Sequence, residues 1–393
     1  MKYAWTVMIS GLLMGLAGCM AHQGTPRAEA QRRWAETRGR VLNGVAEEQF
    51  NAGDFENAQR SAAESLKLAP DLLEPRLLMA RVAIEQGKFV DADEHLKQAA
   101  SKDPNQPRIV YLQAIVEERR EHYPEALKLY ERAGELDSKN QAYLLATVEV
   151  MVRLDRAEEA LALLESKLPT MDPTAGLYSA AGKVATLVEK HDKAAMYYSR
   201  AHALWPDNNE IQSQLAKAYY FSGQHAQAVR ELEELVARTK DETPTWVLSM
   251  LGQSYLADQQ ASKAKEIFTQ LTSKEPRVAS HWVGLAKAAL AAGDATRAMA
   301  SARAAIALDP AQAEASVVLG YVLLKQGQNQ KANSMLVGAA RLHPDNPTLL
   351  CLLGRSYDAL KQHEQALKCY KAAAAIQPGN RFAQMLATDS AQP

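Results

Sequence analysis

The stretch ASHWVGLAKAALAAGDATRAMASARAAIALDPAQ, residues 279–312, contains the structural plan of most of the chain. Its first half carries apolar residues at the spacing of one helical face: Trp282, Leu285, Ala286 and Ala289. Ala292-Gly293-Asp294 then interrupts the pattern, as turn residues do between two helices. A second helix is predicted from about Ala295 to Leu308, and Asp309-Pro310 ends it because proline lacks an amide hydrogen and restricts the residue before it. The stretch therefore predicts an antiparallel pair of helices.

Ala298 of this stretch belongs to a periodic series. Its ten members are 34 residues apart, except for one step of 36: Ala58, Ala92, Ala126, Ala160, Ala194, Ala228, Ala264, Ala298, Ala332 and Ala366. Twelve residues before them, nine of ten positions are Ala or Gly: Ala46, Ala80, Ala114, Val148, Gly182, Ala216, Gly252, Ala286, Gly320 and Gly354. Twelve residues after them, seven of ten are proline: Pro70, Pro104, Pro206, Pro276, Pro310, Pro344 and Pro378. Small side chains let paired helices approach closely, so a bulky residue at Ala298 is expected to push them apart.

This 34-residue unit resembles the tetratricopeptide repeat, and the resemblance covers residues 39 to about 380. It implies an all-α fold, a right-handed superhelical solenoid of about ten antiparallel helix pairs, because no repeat can bury its apolar face alone. Repeats are predicted to start at Gly39, Leu73, Pro107, Gln141, Ala175, Asn209, Thr245, Ala279, Ala313 and Pro347. Within residues 381–393, Arg381 to Ala387 is predicted as a C-terminal cap helix and the rest as a tail.

Two places depart from the pattern. In the fourth repeat, Val148 and Lys167 occupy positions that are mostly small elsewhere, and Pro169 to Pro173 replaces a clean helix end. We expect a bend or altered stacking at that point. The two extra residues of the 36-residue step lie near Asp241 to Pro244.

The first nineteen residues have the pattern of an export signal. The apolar run from Ala4 to Leu16 is short for a membrane span and fits the core of a signal peptide. Leu16-Ala17-Gly18-Cys19 at its end resembles the bacterial lipobox, which implies that residues 1–18 are a lipoprotein signal peptide and that Cys19 carries acyl chains. Met20, rather than Asp, implies the outer membrane, with the chain facing the periplasm. An ordinary signal peptide with a chance cysteine is the alternative.

Residues 19–38 are predicted to be the lipid-bearing tether and a leading helix from Pro26. This helix is locally basic, with Arg27, Arg32, Arg33 and Arg38 against Glu29 and Glu36. One interpretation is attraction to anionic head groups, worth about 1 kcal/mol per basic residue near a charged surface. The other is a solvated helix whose Trp34 packs on the first repeat.

Composition excludes several classes of protein. The chain has 45 Lys and Arg against 46 Asp and Glu, a formal net charge of -1, and so lacks the basic excess of a nucleic-acid binder. Aromatic residues make up 6%, too few for an all-β domain. Three cysteines cannot build a disulfide framework. Cys351 is expected on the concave side of repeat ten and Cys369 toward the convex side, although an oxidising periplasm leaves a bond between them as an alternative.

The residues that suggest chemistry are explained by the repeat. No HExxH spacing occurs among the nine histidines. His191, His225 and His363 occupy the position that holds Phe55, Phe89 and Tyr123 in other repeats, and are predicted to be packing residues. Ser262 and Lys265 match Ser-x-x-Lys, but Ser262 is expected to cap a helix. We therefore predict no enzyme activity, no cofactor and no metal site.

In tetratricopeptide arrays the first helix of each repeat lines an inner groove, notably through its second, fifth, ninth, twelfth and thirteenth residues. By resemblance, the ninth positions of repeats five to ten line a groove here: Lys183, Lys217, Gln253, Lys287, Tyr321 and Arg355. Tyr220, Phe221 and Trp246 add aromatic surface beside these cations, a mixture enriched in recognition sites. The sequence predicts that an extended protein segment with acidic and apolar side chains binds there. A solvated face is the alternative.

The expected function is a non-catalytic protein-interaction scaffold anchored by lipid to the bacterial envelope. It would hold components of a pilus, secretion or exopolysaccharide-export machine against the outer membrane. A glycan-binding module, in which Tyr220, Trp246 and Tyr321 stack on sugars, is the alternative. The sequence names neither the partner nor the oligomeric state, because a fold specifies a surface and not its ligand.

Overall fold

The computed structural model describes residues 26–379, 381 and 384–386. These residues form twenty α-helices and two short 3-10 helices, with no strand among them. The α-helices follow one another as ten antiparallel pairs, so the predicted all-α solenoid class is confirmed. The chain divides into two compact units, residues 1–172 and 173–393. The predicted signal peptide, Cys19 and most of the tail lie outside the described residues.

Unit 1 contains four helix pairs and one 3-10 helix. Its elements are α1 (Pro26–Asn51), α2 (Phe55–Leu68), α3 (Glu74–Glu85), α4 (Phe89–Ala100), α5 (Pro107–Arg119), α6 (Tyr123–Leu136), α7 (Gln141–Arg153), α8 (Ala157–Lys167) and the 3-10 helix Leu168–Thr170. The leading segment and the first helix of repeat one form a single helix, α1. Gly39 between them stays helical and packs on Ser65 of α2 and on Ala69, which follows α2.

Unit 2 contains six helix pairs and one 3-10 helix. Its elements are α9 (Ala175–Leu187), α10 (His191–Leu204), α11 (Asn209–Phe221), α12 (His225–Thr239), the 3-10 helix Lys240–Glu242, α13 (Thr245–Ala257), α14 (Ala261–Lys274), α15 (Ala279–Ala291), α16 (Ala295–Leu308), α17 (Ala313–Lys325), α18 (Asn329–Leu342), α19 (Pro347–Ala359) and α20 (His363–Ile376). Of the predicted cap helix, residues 381 and 384–386 are helical and the others lie outside the described part.

The periodic alanines lie at the centre of the helix pairs. All ten, from Ala58 to Ala366, are fully buried. The small residues twelve positions earlier are buried as well, and several of them face a large side chain of the second helix: Gly182 faces Tyr198, Gly252 faces Phe268, Gly320 faces Leu336 and Gly354 faces Tyr370. The core is therefore built from small and large residues that alternate across each helix pair.

The turn between the two helices of a repeat contains one residue in the left-handed region in all ten repeats. Five of these residues are glycines, for example Gly293 with φ 79°. The other five are not: Glu121, Asp155, Glu189, Gln259 and Lys361. The repeat therefore imposes this backbone conformation even where the sequence supplies a residue that adopts it at a cost.

Both predicted departures from the repeat appear as local structure. In repeat four, α8 ends at Lys167 and is followed by the 3-10 helix Leu168–Thr170, immediately before the boundary between the units. In repeat six, the 3-10 helix Lys240–Glu242 overlaps the place where the two extra residues were predicted. Thr243 behind it is buried, and its hydroxyl lies 2.7 Å from that of Thr239. This bond ties the insertion to the end of α12.

Candidate functional site

The predicted groove residues lie on the first helices of the repeats in unit 2. Within that unit α11 contacts α13, α13 contacts α15 and α15 contacts α17, so successive first helices lie side by side. Lys217, Gln253 and Lys287 are the ninth residues of α11, α13 and α15. The repeat thus places their side chains along one surface, which we call the unit 2 groove.

Lys217 and Trp246 are in direct contact across two repeats of this groove. The Lys217 ammonium lies 4.5 Å from the centroid of the Trp246 ring, although the two residues come from different helices. Trp246 is the second residue of α13 and is 44% exposed, so part of its ring also faces solvent. A cation over an indole ring at this distance contributes about 0.5–1 kcal/mol at an exposed site. The contact holds an apolar surface and a positive charge together.

Two cavities lie beside this pair. One, of about 500 Å³, is lined by Tyr220, Gln253, Lys287 and Glu314 among others. The second, of about 310 Å³, is lined by Trp246, Met250, Gln253 and His281 among others. Because Gln253 lines both, the two cavities adjoin at its amide, which offers a hydrogen-bond donor and an acceptor. The unit 2 groove therefore combines apolar walls with polar groups that could orient a bound chain.

The basic residues of the groove differ in whether a carboxylate of the chain pairs with them. Lys287 is paired with Glu314, its Nζ 3.1 Å from the carboxylate oxygen Oε1. Lys183, Lys217 and Arg355 have no carboxylate within ion-pair distance in the described part of the chain. An anionic ligand would meet Lys217 directly, and it would compete with Glu314 for Lys287.

Some predicted groove residues lie apart from the two cavities. Phe221 packs its ring 5.3 Å from that of His191 and at right angles to Tyr220, and lines neither cavity. Tyr321 lies under the Lys325 ammonium, 5.5 Å from the ring centroid. Lys183 and Arg355 are exposed on α9 and α19, outside both cavities. The structure thus brings together Lys217, Tyr220, Trp246, Gln253 and Lys287 of the nine predicted residues.

Several lining residues were missed by reading the ninth positions. Glu314 and Ser280 are second residues of their helices, and His281 and Met250 are the third and sixth of theirs. A signal for Glu314 was present, because the second position belongs to the groove positions of the repeat. A signal for the burial of His281 was present as well, because it holds the third position of the repeat, where Ile211 and Val247 are also buried.

The histidine predictions are confirmed at two of three positions. The ring of His191 lies 5.3 Å from Phe221, and that of His225 lies 5.5 Å from Tyr220. The prediction for His363 is wrong, since this side chain is exposed and its Nδ1 lies 3.1 Å from an Asp358 carboxylate oxygen. Here the earlier helix supplies an acid instead of a ring, so the histidine makes a polar contact.

Two further expectations need correction. Ser262 is not a cap: α14 begins at Ala261 after Gln260, and no side chain caps its free amides. Cys351 does not line the concave surface, because it is buried beside Leu350 and Ala373. Both Cys351 and Cys369 are free thiols. Burial raises the pKa of each thiol, and Cys351 adds to the shift at Cys369.

Unit 1 has a cavity of its own, of about 440 Å³. Phe50, Arg81, Arg108, Tyr111 and Tyr143 are among its lining residues. Arg81 is already satisfied, since its Nη1 lies 3.0 and 2.8 Å from the two carboxylate oxygens of Glu47, the ninth residue of the previous repeat. Its guanidinium also lies 4.2 Å from the centroid of Phe50. The charge of Arg81 is therefore neutralised within the protein, whereas Arg108 is exposed.

Two further properties of the described residues concern metal binding and membrane spanning. No group of three or more His, Cys, Asp or Glu side chains is arranged to hold a metal ion in this part of the chain. Within the same residues, no helix combines the length and the apolar character needed to cross a bilayer.

Comparison with known proteins gives two family matches. Residues 152–392 match the model described as the cilia and flagella-associated protein 70 C-terminal domain, and residues 49–116 match a tetratricopeptide repeat model. Human cilia- and flagella-associated protein 70 is 23% identical over 198 residues, which cover 50% of this chain and 18% of that protein. Anaphase-promoting complex subunit 3 of Schizosaccharomyces pombe is 26% identical over 123 residues, 31% of this chain and 18% of that protein. The matches thus span less than a fifth of these relatives.

Solved structures of repeat proteins are similar to the chain. A tetratricopeptide repeat protein from Parabacteroides merdae superposes with a TM-score of 0.51 at 16% identity, covering 63% of this chain and 97% of that one. The APC/C hetero-tetramer Cut9-Hcn1 gives a TM-score of 0.46 at 15% identity, covering 90% of this chain and 76% of that one. At these identities the Parabacteroides merdae likeness shows the fold alone.

Proposed function

The chain belongs to the tetratricopeptide-repeat family of the cilia and flagella-associated protein 70 C-terminal domain, and from this premise we propose that it is a non-catalytic scaffold that binds a protein partner. The bound segment is extended and carries acidic and apolar side chains. It lies in the unit 2 groove, along α11, α13 and α15. In unit 1, by contrast, Arg81 beside the cavity is held by Glu47.

The contact between Lys217 and Trp246 carries this proposal. The Trp246 indole is half exposed, and the Lys217 ammonium beside it has no carboxylate partner among the described residues. Together they offer a ligand an apolar surface and a positive charge side by side. Aromatic and basic side chains of this kind dominate the energy of protein interfaces when they are desolvated. An acidic residue of the partner would pair with Lys217 while an apolar residue two positions along covers the free part of the ring.

The two cavities determine which side chains of such a segment enter the groove. They adjoin at Gln253, and each is large enough for a side chain. In an extended chain successive side chains point to opposite sides, so alternate residues would enter the groove. The Gln253 amide would bond the backbone between them, as polar groups do when they fix the register of a bound peptide.

The groove favours a protein over a glycan. Sugar stacking needs open ring faces, but Lys217 occupies one face of Trp246 and Lys325 lies over Tyr321. Tyr220 is packed between Phe221 and His225. A glycan in polysaccharide export therefore remains the second candidate, and binding to it would require these contacts to break.

A binding experiment with synthetic peptides tests the groove. The full chain is titrated against a labelled peptide in which Glu and Leu alternate at every second position with Ser between them, and against a matched peptide with Lys in place of Glu. We expect binding of the acidic peptide that weakens with salt, since the contact is electrostatic and screened. Combined Lys183→Glu, Lys217→Glu and Lys287→Glu replacement abolishes it, and Trp246→Ala weakens it about tenfold.

The matched control is Lys331→Glu. Lys331 is an exposed lysine of α18, a second helix of its pair, and it lines neither cavity. Its replacement changes the net charge as each single groove variant does and is expected to leave the affinity unchanged. An unchanged affinity of the triple groove variant would remove the proposed site.

We further propose that the scaffold is a lipoprotein of the outer membrane that faces the periplasm and serves a pilus, secretion or exopolysaccharide-export machine. The support is Leu16-Ala17-Gly18-Cys19 with Met20 behind it. Two or more acyl chains on Cys19 would anchor the chain stably. In a bacterial host, labelled palmitate should be incorporated by the chain and lost in Cys19→Ser. Incorporation that persists in this variant would contradict the anchor without affecting the groove.

A further inference from the structure

One face of α1 is open where other first helices are covered. Val41, the third residue of repeat one, is 63% exposed. At the same position of every repeat that follows another within its unit, the residue is buried: Pro75, Ile109, Tyr143, Ile211, Val247, His281, Ala315 and Leu349. Those residues are covered because each first helix packs on the second helix of the preceding repeat, as α3 packs on α2. Among the described residues of unit 1, no second helix therefore covers this position of α1.

The open face extends along α1 and carries both apolar and charged residues. Trp34 and Val45 are 58% and 40% exposed, and Arg27 and Glu48 are exposed as well. Residues 27, 34, 38, 41, 45 and 48 follow at steps of 7, 4, 3, 4 and 3, which places them on one side of the helix. We call this side the α1 outer face.

Glu48 stands at a position that is otherwise buried. The tenth residue is buried in each of the eight repeats that follow another within a unit: Val82, Val116, Val150, Ala218, Ser254, Ala288, Val322 and Ser356. A carboxylate here opposes coverage by an ordinary apolar helix, because burying an unpaired charge is costly. A partner that covers Val41 must therefore bring a cation to Glu48.

We propose that the partner is a second copy of this chain, whose α1 packs antiparallel on the first about a two-fold axis between residues 37 and 38. This arrangement pairs residues whose numbers add up to 75. Arg27 of each copy meets Glu48 of the other, and Trp34 of each meets Val41 of the other. Ala30 meets Val45 in the same register. The α1 outer face is thus complementary to itself, as a two-fold interface requires.

The remaining charges on this part of α1 are compatible with the pairing. Arg32 and Glu36 bond each other at 3.1 Å, and Arg33 lies 3.5 Å from Glu29, so these four are paired within the helix. Arg38 lies nearest the axis, beside Arg38 of the other copy; its guanidinium lies 5.2 Å from the centroid of its own Trp34, which holds each positive charge against a ring. Neither Arg27 nor Glu48 has an ion pair with a described residue of its own chain. These two are therefore available to the second copy.

The contact is small, so the dimer is weak. One pair of helices buries less than the roughly 1,200 Å² that stable interfaces reach, which places this contact in the transient class. A dissociation constant in the range of about 1–100 μM is expected, and the fraction of dimer depends on concentration.

Energy transfer between labelled chains tests the dimer. Full chains with Cys19→Ser, which removes lipidation, carry donor or acceptor fluorophores on a C-terminal tag and are mixed in non-ionic detergent. We expect transfer that saturates with concentration. Arg27→Glu or Glu48→Arg alone should weaken association at least about tenfold, because each creates two like-charge pairs. Mixing the two single variants should restore transfer, because both pairs between unlike copies become attractive again.

Matched variants make the outcome decisive. Arg119→Glu, a reversal at an exposed arginine of α5 away from the α1 outer face, should leave transfer unchanged. A monomer up to 100 μM, or a dimer that neither single variant weakens, overturns the proposal. Failure of the mixed variants to associate overturns it as well. Binding of a monomeric chain to phosphatidylglycerol vesicles that is lost in Arg27→Glu would assign the face to a membrane and also overturn it.

Discussion

The ring of Tyr198 lies directly against the backbone of Gly182, so closely that a Cβ on this glycine would stand 2.9 Å from the ring carbons. The two residues come from the two helices of repeat five, α9 and α10. Gly252 and Phe268 form the same pair in repeat seven, with 2.8 Å from the Cβ position to the ring. Real side chains do not approach so closely, which makes glycine a packing requirement where the second helix carries a ring.

Replacement of Gly182 by alanine should therefore destabilise the chain. The added methyl group must displace the Tyr198 ring, and overpacking of this kind costs about 1–3 kcal/mol of unfolding free energy. Denaturation by urea, followed by circular dichroism, measures the loss. Gly176→Ala on the same helix is the control, since nothing lies within 4 Å of that Cβ position. Alanine favours a helix by about 1 kcal/mol there, so equal effects of the two variants would contradict the packing argument.

In one turn between paired helices, a substitution should raise the unfolding free energy instead of lowering it. Glu189 adopts φ 56°, the left-handed conformation that Gly293 adopts with φ 79° in another repeat. An L-residue pays about 1–2 kcal/mol in that region, partly offset by the greater freedom of glycine in the unfolded chain. Glu189→Gly should therefore raise the unfolding free energy, and Gly293→Ala should lower it by about 1 kcal/mol. A loss of stability in Glu189→Gly, measured in the same urea titration, would disprove this reading of the turn.

The repeat register could be read from the sequence because it depends on contacts at fixed offsets. The alanine series from Ala58 to Ala366 marks the centre of each helix pair, and every member is fully buried. The left-handed conformation of the turn could not be predicted in every repeat, since the residue types of Glu189 and Lys361 do not indicate it. The position imposes it through the geometry of the whole repeat.

The groove could be predicted only in outline. Ninth positions located Lys217, Gln253 and Lys287, because one repeat separates them along neighbouring helices. The sequence did not show which of them form ion pairs, since the pairing of Lys287 with Glu314 joins side chains 27 residues apart. Periodicity gives the face of a helix, whereas the direction of a long side chain depends on neighbours from other repeats.

The two thiols of repeat ten should react slowly near neutral pH. Burial disfavours the thiolate and raises the pKa of Cys351 and Cys369 above the ordinary value of about 9.0. Because the thiolate is the reactive form, alkylation by iodoacetamide should be slow at pH 7.5 and should rise only above pH 9. Mass spectrometry of the modified peptides follows the rate, with the chain in urea as the unprotected control. Rapid modification of Cys351 at pH 7.5 in the folded chain would show that it is accessible.

The ion pair between Lys287 and Glu314 leads to a gain-of-binding prediction for the groove. Glu314 holds the lysine at 3.1 Å and thereby competes with any acidic ligand residue. Glu314→Gln keeps the side-chain shape and removes the charge, so the alternating Glu and Leu peptide should bind about two- to fivefold more tightly, the range that an exposed ion pair of up to about 1 kcal/mol allows. Fluorescence anisotropy at physiological salt measures the change.

The control for this gain is Glu364→Gln on α20. Glu364 is paired with Lys368 at 2.7 Å, so the substitution removes the same charge from an exposed ion pair outside both cavities. It changes the net charge of the chain equally and should leave peptide affinity as it was, because only a local charge acts through the site at physiological salt. Equal tightening by both variants would mean that the peptide responds to overall charge, and Lys287 would then have no part in its recognition.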